Sequence, residues 1–192
     1  DKIQVVACGT AYHSGLIGKY VLEELARIPV DVDIASEFRY RNPLIDENTL
    51  VIVVSQSGET ADTLAGLRLA KEKGCQVLAL TNVVGSTIPR EADEVLYLKA
   101  GPEIAVASTK AYTTMLAAFY LLGLHYANVN NTIAPELEKE LRQDLLRLPR
   151  LAGKIIEDSK EIIKNRAQEY KNWENSFFIG RNTDYTLAME GA

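Results

Sequence analysis

The chain has 192 residues, 47% of them hydrophobic, which is enough for one sizeable domain or for one domain and part of another. Its 21 basic and 26 acidic residues give a net charge of −5, which argues against a nucleic-acid partner. No apolar stretch reaches the ~18 residues of a membrane span and the N-terminus does not resemble a signal peptide, so we expect no membrane partner.

The first predicted unit is a buried strand followed by a glycine turn and a helix. Residues Ile3–Cys8 form an apolar run, and a helix is predicted from about Tyr12 to Ile28, where Pro29 ends it. Between them, Gly9 lets the backbone approach a ligand closely, and the Thr10 hydroxyl is expected to act as a donor. The glycine spacing does not fit a dinucleotide-binding fingerprint.

The next segment predicts an edge strand and a charged turn. Val30–Ala35 alternates apolar and polar residues, as a half-exposed strand does. It leads into Ser36–Pro43, a loop or short helix that carries one carboxylate and two guanidinium groups. A solvated ion-pair turn is the simple interpretation of that charge pattern.

The central unit joins a buried strand to a helix through a hydroxyl-rich turn. Leu50–Val54 is typical of a parallel strand buried on both faces, and a helix is predicted from Ala61 to Lys73. The turn between them consists of Ser55, Gln56, Ser57, Gly58, Glu59 and Thr60. A helix N-terminus offers unpaired N–H groups and a positive dipole end, so a phosphate is expected there, with ordinary capping as the alternative. Because no P-loop lysine follows, a phosphorylated small molecule fits better than a nucleotide with Mg²⁺.

Two further strands complete the predicted sheet, at Gln76–Thr81 and Glu94–Leu98. The alternation of strands and helices predicts an α/β fold, a three-layer α/β/α sandwich with a mostly parallel five-stranded sheet. Ligands are expected at the carboxyl ends of the strands, where Gly9, Ser55 and Asn82 all fall.

A long apolar helix is predicted from about Thr109 to Tyr126. Its hydrophobic character nearly all round indicates burial on more than one side, and on that ground we predict a homodimer. Ser108 and Thr109 are suited to cap this helix, and capping alone would account for them.

After Ala134 the chain becomes charged and helical, with a break predicted near Pro149. Residues 175–182 then repeat the strand–glycine pattern of the first unit, and Tyr185–Glu190 begins a helix. We therefore expect a first domain over 1–133, a helical linker over 134–174 and the truncated start of a second copy of the fold over 175–192, all cut from a longer protein.

The cysteines and histidines predict a reducing compartment and no metal site. Cys8 and Cys75 each adjoin a predicted strand, which favours buried thiols and a cytoplasmic location over a disulfide framework. His13 and His125 lie far apart without ligands at metal-binding spacing. We interpret His125 as a packing residue and His13 as a structural residue near the chemistry, and we expect no cofactor.

Four segments together resemble the SIS (sugar isomerase) domain family, and within it the first, flavodoxin-like SIS domain of the glucosamine-6-phosphate synthases. They are Gly9–Tyr12, Ala35–Arg41, Ser55–Thr63 and Glu103–Lys110. The serine-rich segment alone indicates only the wider family, whereas the second and fourth segments narrow the resemblance to these synthases. The resemblance covers the whole chain in order.

The resemblance implies a site for fructose 6-phosphate or glucosamine 6-phosphate. The residues implied to bind the phosphate and neighbouring hydroxyls are Ser55, Gln56, Ser57 and Thr60, with Thr10 and Ala11 on the other side. Val106, through its backbone, and Ser108 are implied to contact the sugar. Many members carry serine at the position of Ala11, so one hydroxyl contact is missing here.

The resemblance also implies which parts of the reaction lie elsewhere. In this family a separate glutaminase domain releases ammonia from glutamine, and the resulting imine is isomerised to an aldose. The Schiff-base lysine and the proton-transferring glutamate lie just beyond a sequence like Glu190-Gly191-Ala192, and the ring-opening histidine lies further on. We therefore expect no catalytic residue in this chain, and the glutaminase and second SIS domains of the same polypeptide as its partners.

Two other functions remain open. One is a non-catalytic sugar-phosphate sensor, as in a SIS-type transcriptional regulator, although the chain shows no basic helix-turn-helix segment. The other is a stand-alone phosphosugar isomerase, for which the sequence offers no glutamate–histidine pair in an evident position.

Overall fold

The computed structural model describes residues 2–104 and 108–192. Its sheet consists of β1 (Lys2–Ala7), β2 (Val30–Ile34), β3 (Thr49–Ser55), β4 (Gln76–Thr81) and β5 (Glu94–Tyr97). All neighbouring strands are parallel, in the order β2-β1-β3-β4-β5. This confirms the predicted α/β sheet and the edge position of the strand that begins at Val30.

Two apolar cores cover the two faces of the sheet, and β3 contributes to both. Ile52 and Val54 point into the core that the sheet shares with the helix Thr109–Asn130. Val51 and Val53 point into the core on the opposite face. All four are at most 1% exposed. The continuous apolar run therefore formed a strand buried on both faces, as predicted, and each such side chain contributes about 1.5–3 kcal/mol through burial.

Seven helices flank the sheet or follow it in the described part of the chain. They are α1 (Gly9–Val21), α2 (Ala35–Tyr40), α3 (Ala61–Glu72), α4 (Thr87–Glu91), α5 (Thr109–Asn130), α6 (Pro135–Tyr170) and α7 (Thr183–Gly191). A π-helical turn, Leu22–Ala26, continues α1. The predicted start of α1 at Tyr12 was wrong, because Gly9 takes a φ of +54° and reverses the chain directly after β1.

The α5 helix packs along α1 in the same chain, and this contact accounts for much of its apolar character. Met115 and Phe119 are at most 1% exposed, whereas Leu121 and Val129 remain half-exposed or more on the outer side. Among the helices that the structure describes, none combines the length and the apolar composition needed to cross a membrane.

The predicted break near Pro149 was wrong, since α6 continues through it as one helix of 36 residues. Proline removes one helical hydrogen bond and crowds the preceding turn. Because none of the residues of α6 is buried, water can satisfy the freed carbonyl group, and the flanking leucines and arginines favour the helix.

Residues 175–182 form no strand, contrary to the prediction, although α7 follows as expected. Phe177 is 93% exposed and Ile179 is 90% exposed. A strand needs a hydrogen-bonded neighbour, and the sheet that the structure describes offers none to this segment.

Candidate functional site

The loops after β1, β3 and β4 meet at the carboxyl edge of the sheet. The chain runs from β1 outward to β2 and then crosses to β3 on the other side of β1. Such a switch point opens a crevice at the carboxyl ends of the strands, where ligands of open α/β sheets bind. Gly9, Ser55 and Asn82 all lie at this edge, which confirms their predicted placement.

Hydroxyl groups shape the Ser55–Thr60 loop from within. Ser55 Oγ lies 2.9 Å from Thr60 Oγ1 and accepts a hydrogen bond from the Gly58 backbone N–H at 3.0 Å. Ser57 Oγ accepts one from the Glu59 backbone N–H at 3.2 Å. Thr60 occupies the N-cap position of α3 without a side-chain bond to that helix, so the capping interpretation was wrong for it. The N-terminus of α3 therefore faces the edge without a side-chain cap.

The loop is anchored on the start of α4. The Gly58 carbonyl accepts a hydrogen bond from the Ile88 backbone N–H at 2.9 Å, and Glu59 Oε1 accepts one from the Thr87 backbone N–H at 2.7 Å. Hydrogen bonding to Thr87 holds the pKa of Glu59 below its usual value. Gly58 itself is buried with a φ of +68°. These contacts give the loop one defined shape before any ligand arrives.

On the other side of the crevice, Thr10 contacts the carboxylate of Glu190 rather than open solvent. Thr10 Oγ1 donates to Glu190 Oε1 at 2.9 Å, and His13 Nδ1 lies 2.6 Å from Glu190 Oε2. This differs from the expectation that Thr10 would donate to a ligand. Ala11 is 7% exposed and packs into the core, so only its backbone can face a ligand.

Tyr112 lies in the first turn of α5 and is 8% exposed. Its hydroxyl has no hydrogen-bond partner among the residues that the structure describes. Burial raises the pKa of Tyr112, and the charge of the Glu190 carboxylate raises it further.

The remaining predicted site residues lie around the same edge. The Gln56 carbonyl accepts a hydrogen bond from the Asn82 backbone N–H at 3.2 Å, and Asn82 Nδ2 donates to the Gly101 carbonyl at 2.7 Å. Ser108 precedes α5 at its N-cap position and makes no side-chain cap. Val106 lies outside the described residues, so its predicted backbone contact is untested.

The guanidinium groups of the predicted charged turn pair within the chain. The turn forms the short helix α2, in which Arg39 lies 3.6 Å from Asp62. Arg41, directly after α2, pairs with Asp33 near the end of β2. Both arginine side chains are almost half exposed, so these pairs contribute little to stability. The simple interpretation of this charge pattern was therefore confirmed.

Glu190 and Tyr112 were not predicted as residues of this edge, and His13 was interpreted as structural. The sequence could have indicated that Thr10 and His13 lie side by side, because positions three apart lie on one face of a helix. No local sequence pattern could have predicted that Glu190 contacts Thr10, because the two residues lie 180 positions apart along the chain.

Comparison with known proteins gives one family and close relatives. A family model described as SIS domain matches residues 1–125. The chain is 59% identical to the glutamine–fructose-6-phosphate aminotransferase (isomerizing) of Clostridium tetani and 57% identical to that of Clostridium acetobutylicum, over 100% of this chain and 31% of each relative. It thus spans about a third of the length of these curated relatives.

Among solved structures, the C-terminal domain of glucosamine-fructose-6-phosphate aminotransferase from Francisella tularensis is similar throughout. The two share 38% sequence identity with a TM-score of 0.95, over 100% of this chain and 54% of that one. The backbone course of the described residues, including α6 and α7, therefore has a solved counterpart.

Proposed function

This chain belongs to the SIS domain family, and from that premise we propose that it is the sugar-phosphate-binding domain of an enzyme that makes glucosamine 6-phosphate and glutamate from fructose 6-phosphate and glutamine. The names of its close relatives support the enzyme over the sugar-phosphate sensor. The observation that carries the proposal is the N-terminus of α3, which faces the crevice without a side-chain cap and is surrounded by hydroxyl groups.

The Ser55–Thr60 loop supplies neutral donors for a phosphate. Ser55 Oγ accepts a hydrogen bond from the Gly58 N–H and can donate its own hydroxyl proton in a hydrogen bond to Thr60 Oγ1. The Thr60 hydroxyl then remains free to donate to the ligand. Ser57 Oγ also accepts a backbone N–H and keeps its proton for donation. Together with the first N–H groups of α3 and the positive end of its dipole, these donors suit a dianionic phosphate.

We place the chemical step outside this chain. The family resemblance puts the Schiff-base lysine, the proton-transferring glutamate and the ring-opening histidine elsewhere, so this chain should bind the sugar phosphate without converting it. Its partners would be the glutaminase domain and a second SIS domain of the same polypeptide, which the greater length of the relatives supports.

We also propose the division into a first SIS domain over 1–133, a linker over 134–174 and the start of the second domain over 175–192. The family match over residues 1–125 and the absence of buried residues in α6 support it. The two free cysteines, Cys8 and Cys75, support a reducing, cytoplasmic location.

A homodimer is part of the proposal, and the outer face of α5 supports it. Tyr120 is 37% exposed and Leu121 is 50% exposed on that face. Apolar side chains there would be covered by a second copy. Sedimentation at micromolar concentration should give twice the chain mass, and a monomeric mass would contradict this part.

Calorimetric titration tests the binding proposal. We expect the chain to bind glucosamine 6-phosphate and fructose 6-phosphate but not unphosphorylated glucosamine. Ser57→Ala and Thr60→Ala should each weaken binding by about tenfold or more, because a hydrogen bond to a charged group contributes about 1.5–3 kcal/mol. Ser159→Ala, on the exposed helix α6, is the matched control and should bind as the parent chain does.

Equal binding of glucosamine and its phosphate would contradict the proposal, because the phosphate would then contribute nothing. Unchanged affinity in both variants would show that the Ser55–Thr60 loop does not hold the phosphate. In either case, circular dichroism would establish that the chain tested is folded.

A further inference from the structure

A buried hydroxyl group without a hydrogen-bond partner lies beneath the Ser55–Thr60 loop. Thr81, the last residue of β4, is 0% exposed. Its Oγ1 atom makes no hydrogen bond to any residue that the structure describes. A buried hydroxyl group without a partner is unfavourable, and native proteins seldom leave one so. A change of the loop that gave Thr81 a partner would therefore be favoured.

Ser55 is the neighbour of Thr81 in the sheet. The two residues are paired at the ends of β3 and β4, and adjacent strands lie about 4.8 Å apart. Side chains alternate along a strand, so both residues point to the face whose core contains Val53 and Ala79. Rotation about χ1 can bring the two hydroxyl groups within hydrogen-bond distance of each other.

Gly58 covers both hydroxyl groups. Its backbone N–H donates to Ser55 Oγ at 3.0 Å, and a Cβ atom on Gly58 would lie 2.9 Å from Thr81 Oγ1. Ser55 Oγ also lies 2.9 Å from Thr60 Oγ1. In this arrangement the Gly58 N–H occupies Ser55 Oγ as a donor, and the Thr81 hydroxyl group is closed off beneath it.

A phosphate at the start of α3 would compete with Ser55 for the Gly58 N–H. Backbone N–H groups at a helix N-terminus bind phosphate, and their bonds to a charged oxygen are roughly twice as strong as bonds to a neutral one. The Gly58 carbonyl, which accepts from the Ile88 N–H at 2.9 Å, belongs to the following peptide group. Because glycine adopts both signs of φ, the N–H can turn toward the crevice while this carbonyl stays bound to α4.

We propose that Thr81 is a positioning residue of the Ser55–Thr60 loop, which acts on a bound phosphate through Ser55. In the bound state, Thr81 donates to Ser55 Oγ in place of the Gly58 N–H. Ser55 then donates to Thr60 Oγ1, and the Thr60 hydroxyl group donates to the phosphate. Hydrogen bonds in such a chain strengthen one another, and the bound loop gains a partner for a hydroxyl group that the ligand-free loop leaves unpaired.

This inference rests on the proposed function, and it adds how the ligand changes the loop. Thr81→Val keeps the shape of the side chain and removes its hydroxyl group. Calorimetric titration of the full chain with glucosamine 6-phosphate should give an affinity about five- to tenfold lower in the variant, because one hydrogen bond of the bound state is lost. Thr81→Ser restores the hydroxyl group and should recover the affinity to within about twofold.

The ligand-free variant provides a second measurement of opposite sign. The urea midpoint of Thr81→Val should equal or exceed that of the parent chain, because the hydroxyl group that it removes is unpaired. Thr49→Val is the matched control, since Thr49 is 2% exposed and begins β3 at the opposite end of the sheet. Its hydroxyl group donates to Asp46 Oδ1 at 3.3 Å, so Thr49→Val should lower the urea midpoint and leave the affinity unchanged.

A double variant tests whether Thr81 acts through Ser55. In a Ser55→Ala chain, Thr81→Val should have no further effect on the affinity, because the acceptor of the Thr81 proton is already absent. A residue that only supports the fold would weaken binding equally with and without Ser55.

The outcomes separate this inference from the function on which it rests. The inference would be overturned by parent-like affinity in Thr81→Val, by an equal loss in the Ser55→Ala chain, or by a urea midpoint lowered as in Thr49→Val. Phosphate-dependent binding would remain in place in each of these cases. Failure of the folded parent chain to bind glucosamine 6-phosphate would overturn both.

Discussion

Replacing Gly58 by alanine tests whether the proposed phosphate loop is as closely packed as its contacts indicate. A Cβ atom on Gly58 would lie 2.0 Å from Ser86 Oγ and 2.9 Å from Thr81 Oγ1. The backbone φ of +68° costs an L-residue roughly 1–2 kcal/mol. Forcing a methyl group into packed atoms adds about 1–3 kcal/mol. Rotating Ser86 away breaks its hydrogen bond to the Val83 carbonyl, which adds about 1 kcal/mol.

We therefore expect Gly58→Ala to lower the free energy of unfolding by about 4 kcal/mol, which corresponds to a fall in Tm of roughly 10 °C for a chain of this size. Gly85→Ala is the matched control, since Gly85 has a φ of +79° but nothing within 4 Å of a new Cβ atom. Urea unfolding followed by circular dichroism should give a loss of only about 1 kcal/mol for this control.

The double variant Gly58→Ala, Ser86→Ala removes the atom nearest to the new methyl group and should recover part of the loss. A Gly58→Ala chain that is no less stable than the Gly85→Ala chain would contradict the close packing of Gly58. In that event the loop has room for a side chain, and its shape before ligand binding is less defined than its hydrogen bonds indicate.

Three further predictions concern single residues. Asn182 has a φ of 57° and a ψ of −133°, which only glycine adopts without strain, so Asn182→Gly should raise the free energy of unfolding by about 1 kcal/mol in urea titrations; an unchanged midpoint would argue against strain there. Hydrogen bonding to Lys71 holds the pKa of Asp93 below its usual value, so its contribution is present above the unfolded pKa of about 4 and is lost as the pH falls through the folded one. Asp93→Asn should thus cost about 0.5–1 kcal/mol at pH 7 and progressively less as the pH falls through the folded pKa, and a cost independent of pH would contradict the charge argument. Burial raises the pKa of the Cys75 thiol, whereas Cys8 is partly exposed. A thiol reagent should therefore label the native chain at Cys8 first. Rapid labelling of a Cys8→Ser chain would contradict the burial of Cys75.

The sequence determined the elements whose signals are local. The β-branched run Leu50–Val54 predicted a strand buried on both faces, because only such a position leaves no face polar. Pro29 indicated approximately where the first helical segment ends, at Ala26, and glycine indicated the turn after β1, since their backbone preferences act on one or two residues. The hydroxyl-rich loop Ser55–Thr60 was recognisable for the same reason, and it lies at the carboxyl edge as predicted.

Tertiary structure decided the conformation of two segments whose local sequence preference was not followed. Pro149 disfavours a helix, yet the exposed helix α6 continues through it because strong helix formers flank it and water reaches its backbone. Residues 175–182 repeat a strand pattern, but no neighbouring strand is available to them in the described sheet. In both cases the surroundings of the segment, rather than its composition, set the outcome.

The composition of the candidate site also depended on tertiary structure. Glu190 reaches Thr10 and His13 across 180 and 177 residues of chain. No spacing in the sequence relates these positions, because only the docking of α7 on α1 brings them together. The sequence alone therefore predicted a hydroxyl-rich loop at the carboxyl edge, whereas the contact of Glu190 with Thr10 and His13 was visible only in the folded chain.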